Sequence, residues 1–375
     1  MFSSEKVRSA FFYVFVLVYV LDPVAFSFQL VGIPKVPFGF LGMVTAIFLM
    51  VIQSVRAARN KISPSALSLA CAYFLLAGLA VFSRYFELPD VWVWVKNTAQ
   101  YFLGAYAGAH VLRNGLERRW QFLFLFSVCL SGFLWFAFAD RIFVSQEVDS
   151  LNYLHVSDSI ALVSLVLLSS LKSIRSKIVV LILVLLSLYF VGSRFGLIAV
   201  FVASLVMLLK DMSWMLRAGL ATVVVIGGVG LVGYVSSLGL EINDNRIVRL
   251  FLFTEDDTSL NARIEDNELS RDVFFDNPLL GGGYKFYIVN GEGNYAHNAL
   301  SVVYEFGFFG ALFLLAVGFF IFINFMKTLG GQSEGLAFAI IVFLLLACFS
   351  KFYLWWGYFV FVGYLTALRD KLRKS

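Results

Sequence analysis

Ile178-Val179-Val180-Leu181-Ile182-Leu183-Val184-Leu185-Leu186-Ser187-Leu188-Tyr189-Phe190-Val191-Gly192-Ser193-Arg194-Phe195-Gly196-Leu197 decides the fold class of this chain. The run is continuously apolar, breaks once at Gly192-Ser193-Arg194, and then resumes to residue 209. It has no strict alternation of apolar and polar residues, so a transmembrane β-barrel is excluded. Similar runs recur along the chain. The composition is 60% hydrophobic with 42 phenylalanines, only 14% charged, and the mean hydropathy is +0.86. Soluble domains hold about 25% charged residues, and a bilayer-spanning helix needs about 20 mostly apolar ones. The chain therefore reads as an all-α integral membrane protein, a single polytopic domain over 1–375.

Apolar segments fall near 9–28, 36–55, 65–83, 91–112, 119–139, 159–171, 178–192, 195–209, 218–238, 304–326, 335–350 and 353–368. They predict about 12 transmembrane helices. The first reads as a retained helix rather than a cleaved leader, because so many spans follow it. Lys6 and Arg8, then Arg56, Arg59 and Lys61, then Arg113, Arg118 and Arg119 mark one side of the membrane. Lys172, Arg175, Lys177, Lys210, Arg217, Lys327 and the tail Arg369, Lys371, Arg373 and Lys374 continue that side. The positive-inside rule makes it cytoplasmic, with both termini. This asymmetry accounts for the net charge of +5 without a nucleic-acid partner. Cys71, Cys129 and Cys348 all sit in apolar runs and read as buried structural thiols.

Two outward loops carry polar chemistry. The shorter, 140–158, contains His155, which reads as a solvated loop residue. The longer, 240–303, is inserted between the ninth and tenth spans and is too long for a plain connector. Within it, 261–275 predicts a helix stopped at Asp276-Asn277-Pro278, since proline cannot continue one. Leu279-Leu280-Gly281-Gly282-Gly283 follows, a flexible turn whose backbone can approach a ligand closely. Glu255, Asp256, Asp257, Glu265, Asp266 and Glu268 read as a solvated face rather than a cation site. Tyr284, Phe286, Tyr287 and Tyr295 suit sugar stacking and an interfacial aromatic belt equally well.

At the end of the long loop stands Tyr295-Ala296-His297-Asn298-Ala299-Leu300, followed by Glu305-Phe306-Gly307-Phe308-Phe309-Gly310. His297 is one of only 3 histidines, and an imidazole at a membrane boundary exchanges protons near neutral pH. Glu305, eight residues on, suits either orienting that imidazole or simple polar packing. Gly307 and Gly310 suit close helix packing. Arg194, Arg263 and Lys96 stand outside the cytoplasmic trend, where arginine's planar fork suits phosphate oxygens. Snorkelling interface anchors are the plainer reading for each such cation taken alone.

Three blocks taken in order resemble one family. Ser193-Arg194-Phe195-Gly196, then Asn261-Ala262-Arg263 with Asp276-Asn277-Pro278-Leu279-Leu280-Gly281, then the block from His297 to Gly310 are similar to the O-antigen ligase and O-antigen polymerase superfamily. These are bacterial membrane glycosyltransferases of the GT-C type. Phe195 departs from the pattern, standing where a small or polar residue is common, and the turn runs into three glycines.

The resemblance implies transfer of a glycan from undecaprenyl diphosphate to an acceptor hydroxyl on the periplasmic face of the bacterial inner membrane, with no metal or other cofactor. Arg194 and Arg263 would grip the donor diphosphate, and His297 would position or deprotonate the acceptor. Lys96 and Glu305 join them as candidate substrate-binding residues. The acceptor would be another lipid-linked glycan for a polymerase, the favoured expectation, or lipid A–core for a ligase. Other polysaccharide-assembly membrane proteins are conceivable partners. A lipid-linked oligosaccharide flippase is the alternative of another class; it would place charges through the bilayer midplane in paired halves.

Overall fold

The computed structural model describes residues 12–33, 41, 45, 117–144, 151–210, 258–282, 298, 300–327, 335–348, 360, 361, 363 and 364. The described residues are helices with turns and short connecting segments between them, and none is a strand. In chain order they form α1 (Phe12–Val31), α2 (Arg118–Val144), α3 (Leu151–Ser170), α4 (Ile174–Val191), α5 (Arg194–Lys210), α6 (Thr258–Asp276), α7 (Ser301–Lys327) and α8 (Gly335–Cys348). Phe12–Val31, Arg118–Phe138 and Ile174–Val191 are each long and apolar enough to cross a membrane. His155–Ser170, Phe195–Leu209 and Ser301–Ala316 are shorter apolar helices. The expected spans at 65–83, 91–112 and 218–238, and nearly all of 36–55 and 353–368, lie outside the described residues.

α1 is not a uniform helix. Residues 16–21 form a π-helical turn, in which the Asp22 N–H bonds back to the Leu17 carbonyl. Pro23 follows immediately and has no N–H to give its own turn. The wide turn before Pro23 carries Asp22 into the bundle, where its side chain is buried.

α3 is the central helix. It packs against α1, α2, α4, α5 and α8, and every residue from 156 to 168 is buried. This corrects the expected outward loop at 140–158. α2 runs on to Val144, and α3 begins at Leu151 rather than at 159. Hydropathy misses the first turns of α3 because they carry Ser157, Asp158 and Ser159, all of them buried in the bundle. Polar residues inside a membrane bundle lower the apolar score without interrupting the helix.

Small side chains set the closest approaches. A methyl group on Gly132 would stand 2.6 Å from Ser187 Cβ, so α2 and α4 meet where neither side chain is bulky. The outer faces are apolar. Phe122, Phe126, Phe133 and Phe136 on α2, with Ile178, Val179, Ile182 and Leu186 on α4, are exposed. Such stripes suit contact with lipid.

The direction of each helix follows from specific contacts. Phe12 packs edge-on to Trp120 at 4.6 Å, and Ser127 Oγ donates to the Val20 carbonyl at 2.7 Å, so α1 and α2 run parallel. Gln121 Nε2 donates to the Ser170 carbonyl at 3.2 Å, so α3 returns antiparallel to them. The start of α3 therefore lies at the end of the bundle away from Arg118, Arg119 and Lys172.

Candidate functional site

The α4–α5 junction is built from capping chemistry. α4 closes at Gly192, whose N–H reaches the Leu188 and Tyr189 carbonyls, and Ser193 N–H follows to the Leu188 carbonyl at 3.4 Å. Ser193 is buried, and its Oγ accepts the Gly196 N–H at 3.1 Å, which caps the start of α5. Gly196 lies against Ser157 Oγ of α3, so an added side chain there would have to move Ser157, Leu188 or Ser193. Arg194 is thus the first residue of α5. A helix start carries partial positive charge from its free N–H groups. Phe195, out of pattern in the sequence, has a packing reason: its ring stands edge-on to Phe343 of α8 at 5.6 Å.

The second part of the site is a lock between the end of the loop helix and a break in α7. α6 ends at Asp276, and Arg263 falls within it. Asn277 then shapes the turn: its Oδ1 accepts the Leu280 N–H at 3.2 Å, and its carbonyl accepts the Gly281 N–H at 2.7 Å. Opposite the turn, α7 breaks at Gly307, with φ 58° and ψ −135°. Phe308 N–H reaches the Pro278 carbonyl at 3.0 Å and the Leu279 carbonyl at 3.2 Å, and Gly282 N–H reaches the Tyr304 carbonyl at 2.8 Å. Both glycines are required. A Cβ on Gly281 (φ 70°) would stand 2.6 Å from the Glu305 carbonyl oxygen, and one on Gly307 would stand 2.6 Å from the Pro278 oxygen.

Gly281 and Gly282 therefore lie directly against the backbone of α7. Past the break, α7 folds back until Gly310 lies against the Val302 carbonyl, eight residues earlier. Gly307 and Gly310 thus permit close packing, within one bent element. Glu305 is buried beside this break, at 6% exposure.

Asn298 ties the histidine block to the loop helix. Its Nδ2 donates to Asn267 Oδ1 at 3.0 Å, and Asn267 lies one helical turn beyond Arg263 on α6. Its Oδ1 accepts the Leu300 N–H at 2.9 Å, and its carbonyl accepts the Ser301 hydroxyl at 2.6 Å, so it also prepares the start of α7. The residue next to His297 and the residue one turn from Arg263 are bonded to each other. His297 itself and Lys96 lie outside the described residues, as do 240–257 with Glu255, Asp256 and Asp257, and the aromatics at 284–295. On α6, Asp266 is half-buried; desolvation raises its carboxyl above the usual carboxylate range, and neighbouring Glu265 adds to that.

Sequence reasoning missed one pair. His155 is not a solvated loop residue. It lies on α3 with Nε2 3.1 Å from Asp22 Oδ2, and its side chain is 29% exposed against 4% for Asp22. The two are separated by 133 residues. The only signals were an Asp-Pro step inside an apolar run and the string His155-Val156-Ser157-Asp158-Ser159 leading into another. Cys129 is half-buried rather than fully buried, and is a free thiol. Cys71 lies outside the described residues.

With the junction, the loop helix and the bent α7 in place, comparison with known families is informative. Residues 179–315 match the model of a family described as O-antigen ligase. This match supports an O-antigen ligase/polymerase reading for this part of the chain. The match runs from α4 through the Arg194 junction, α6 and the lock to the first half of α7, so every element of the site falls inside it. Its members are glycosyltransferase-like enzymes of surface-polysaccharide assembly, and the apolar helices make the chain an integral membrane protein. No curated protein matched the chain.

Proposed function

We propose that this protein is a membrane glycosyltransferase that moves a glycan from a polyprenyl diphosphate, undecaprenyl diphosphate in bacteria, to an acceptor hydroxyl. The observation that carries the reading is Arg194 at the first position of α5. A cation there opposes the helix dipole, by about 0.3–1 kcal/mol at an exposed site. An anion bound at the same point reverses that balance. Arg263, one turn from the Asn267–Asn298 bond, supplies the second guanidinium.

The reaction follows from these parts. The acceptor oxygen attacks the anomeric carbon, and the bond from that carbon to the diphosphate oxygen breaks with inversion. The acceptor proton passes to His297, and undecaprenyl diphosphate leaves as the anion. Guanidinium groups aimed at the leaving oxygens stabilise the charge that develops on them, the preorganised electrostatics that dominate such steps. An imidazole is suited to accept the proton near neutral pH. Lys96 and Glu305 complete the substrate side. The site faces the periplasm and both termini face the cytoplasm, in keeping with the positive-inside rule.

The favoured acceptor is a second lipid-linked repeat unit, which makes the protein a polymerase; the long loop with its own docked helix suits a dedicated acceptor. The ligase reading, with lipid A–core as acceptor, draws on the printed description of the matched family. Purified full-length protein in lipid, given a synthetic undecaprenyl-diphosphate repeat unit with and without lipid A–core, separates the two. A product ladder without core supports the polymerase, and a core-dependent product supports the ligase. Movement of the lipid across the bilayer with no product in either arm would sink the transferase reading.

A further inference from the structure

The Asp22–His155 pair is unused by the mechanism above. It sits at the end of the bundle where Ser157 meets Gly196, beside the Arg194 junction. Three features mark it as more than packing. Asp22 is delivered by the π-helical turn of α1, a backbone irregularity that recurs at functional sites. An ionisable pair inside a membrane bundle is costly and is commonly retained for function. The first turns of α3 also bury the hydroxyls of Ser157 and Ser159, neither of which has a hydrogen-bond partner among the described residues.

The chemistry selects the ligand. With Nε2 turned to Asp22, Nδ1 is the ring nitrogen left to meet a ligand. Asp22 and Asp158 bring carboxyl groups beside the imidazole, and a carboxyl oxygen offers phosphate no cation to bind. Carboxylates, hydroxyls and an imidazole suit neutral hydroxyl groups. The Phe26 ring, edge-on to His155 at 5.0 Å, adds an apolar wall of the kind sugar C–H faces pack on.

We infer that His155, oriented by Asp22, binds a hydroxyl of the glycan at the Arg194 end of the bundle and distinguishes sugar-bearing lipid from bare lipid diphosphate. The inference rests on the donor reading above, which places the diphosphate at Arg194 and Arg263. His155 is then a specificity residue and Asp22 its positioning residue.

The test measures binding by full-length protein in nanodiscs to two probes. One is undecaprenyl diphosphate carrying the glycan extracted from the producing cells; the other is bare undecaprenyl diphosphate. Wild-type protein is expected to prefer the first. His155→Gln and Asp22→Asn should each weaken binding of the glycan-bearing probe by about tenfold, the loss of one hydrogen bond to a charged group. Binding of the bare probe should stay unchanged. Equal weakening for both probes, no weakening for either, no wild-type preference, or failure of both variants to fold would each overturn the inference. Arg194→Ala reports separately on the donor reading, because it should weaken both probes. If it weakens neither while His155→Gln still abolishes the preference, the diphosphate assignment fails and the sugar site stands.

Discussion

Replacing Gly307 with alanine tests the lock between the loop and α7. The new methyl would stand 2.6 Å from the Leu279 carbonyl carbon, the Leu279 oxygen and the Pro278 oxygen. All three are backbone atoms, so no side chain can swing aside. The backbone at φ 58°, ψ −135° is also one that residues with a Cβ rarely adopt, and holding alanine there costs about 1–3 kcal/mol. If the turn separates instead, two N–H donors lose their partners, Phe308 to Pro278 and Leu279 and Gly282 to Tyr304, at about 1 kcal/mol each. The strain alone, about 1–3 kcal/mol, shifts the docked population by roughly fivefold to a hundred-and-fiftyfold.

Hydrogen exchange at the Phe308 and Gly282 amides, followed by mass spectrometry in nanodiscs, reads that population directly. Turnover of the lipid-linked repeat unit should fall in parallel, since the same lock holds α6 against α7. Gly318→Ala is the control: nothing lies within 4 Å of its added methyl, and exchange should be unchanged or slower. Wild-type exchange and wild-type turnover in Gly307→Ala would refute the reasoning.

Asn298→Ala removes the bond to Asn267 and the turn bond to Leu300; a loss of about 1–2 kcal/mol should appear as faster proteolysis of α6 and as lower kcat. Ser193→Ala removes the cap on Gly196 and should lower the thermal midpoint through a loss of about 1 kcal/mol, with Ser193→Asp restoring much of it. Asp266 titrates above its ordinary range in the folded chain because it is desolvated and lies beside Glu265. A carboxyl raised by folding stabilises the fold fully below its unfolded value, and that contribution is lost as pH rises through the folded value. Docking of α6 should therefore weaken from the ordinary carboxylate range upward to the raised value, and Asp266→Asn should flatten that part of a proteolysis-against-pH profile.

What the sequence made legible was whatever depends on neighbours along the chain. Apolar runs of bilayer length gave α2, α4 and α8 to within a few residues, and Asp276-Asn277-Pro278 marked the end of α6. Glycines in the third block pointed to close packing. What they packed against was not legible, because Gly281 and Gly307 meet only once the loop has folded back. The start of α3 was misread for a related reason. Hydropathy scores a residue as though lipid surrounded it, whereas Ser157, Asp158 and Ser159 are surrounded by protein. Asp22 and His155 belong to opposite ends of the first half of the chain, and no local pattern pairs them.

The distribution of charge at this end of the bundle argues for a substrate with two unlike parts. Arg194 begins α5, on the side of the Ser193 cap, and Arg263 belongs to the loop helix. Asp22 and Asp158 are buried at the first turns of α3, and His155, bonded to Asp22, is partly exposed beside them. A ligand that was anionic throughout would meet the carboxylates; one that was neutral throughout would leave the guanidinium at the helix start uncompensated. The proposed substrate, a diphosphate joined to a sugar, would satisfy both environments at once, with its charged part at the junction and its hydroxyls toward α3. The same division explains why α3 tolerates polar residues at its core. The first turns lie beside the proposed sugar site, and the rest of the helix, from Ile160 to Leu168, is packed mostly among apolar neighbours.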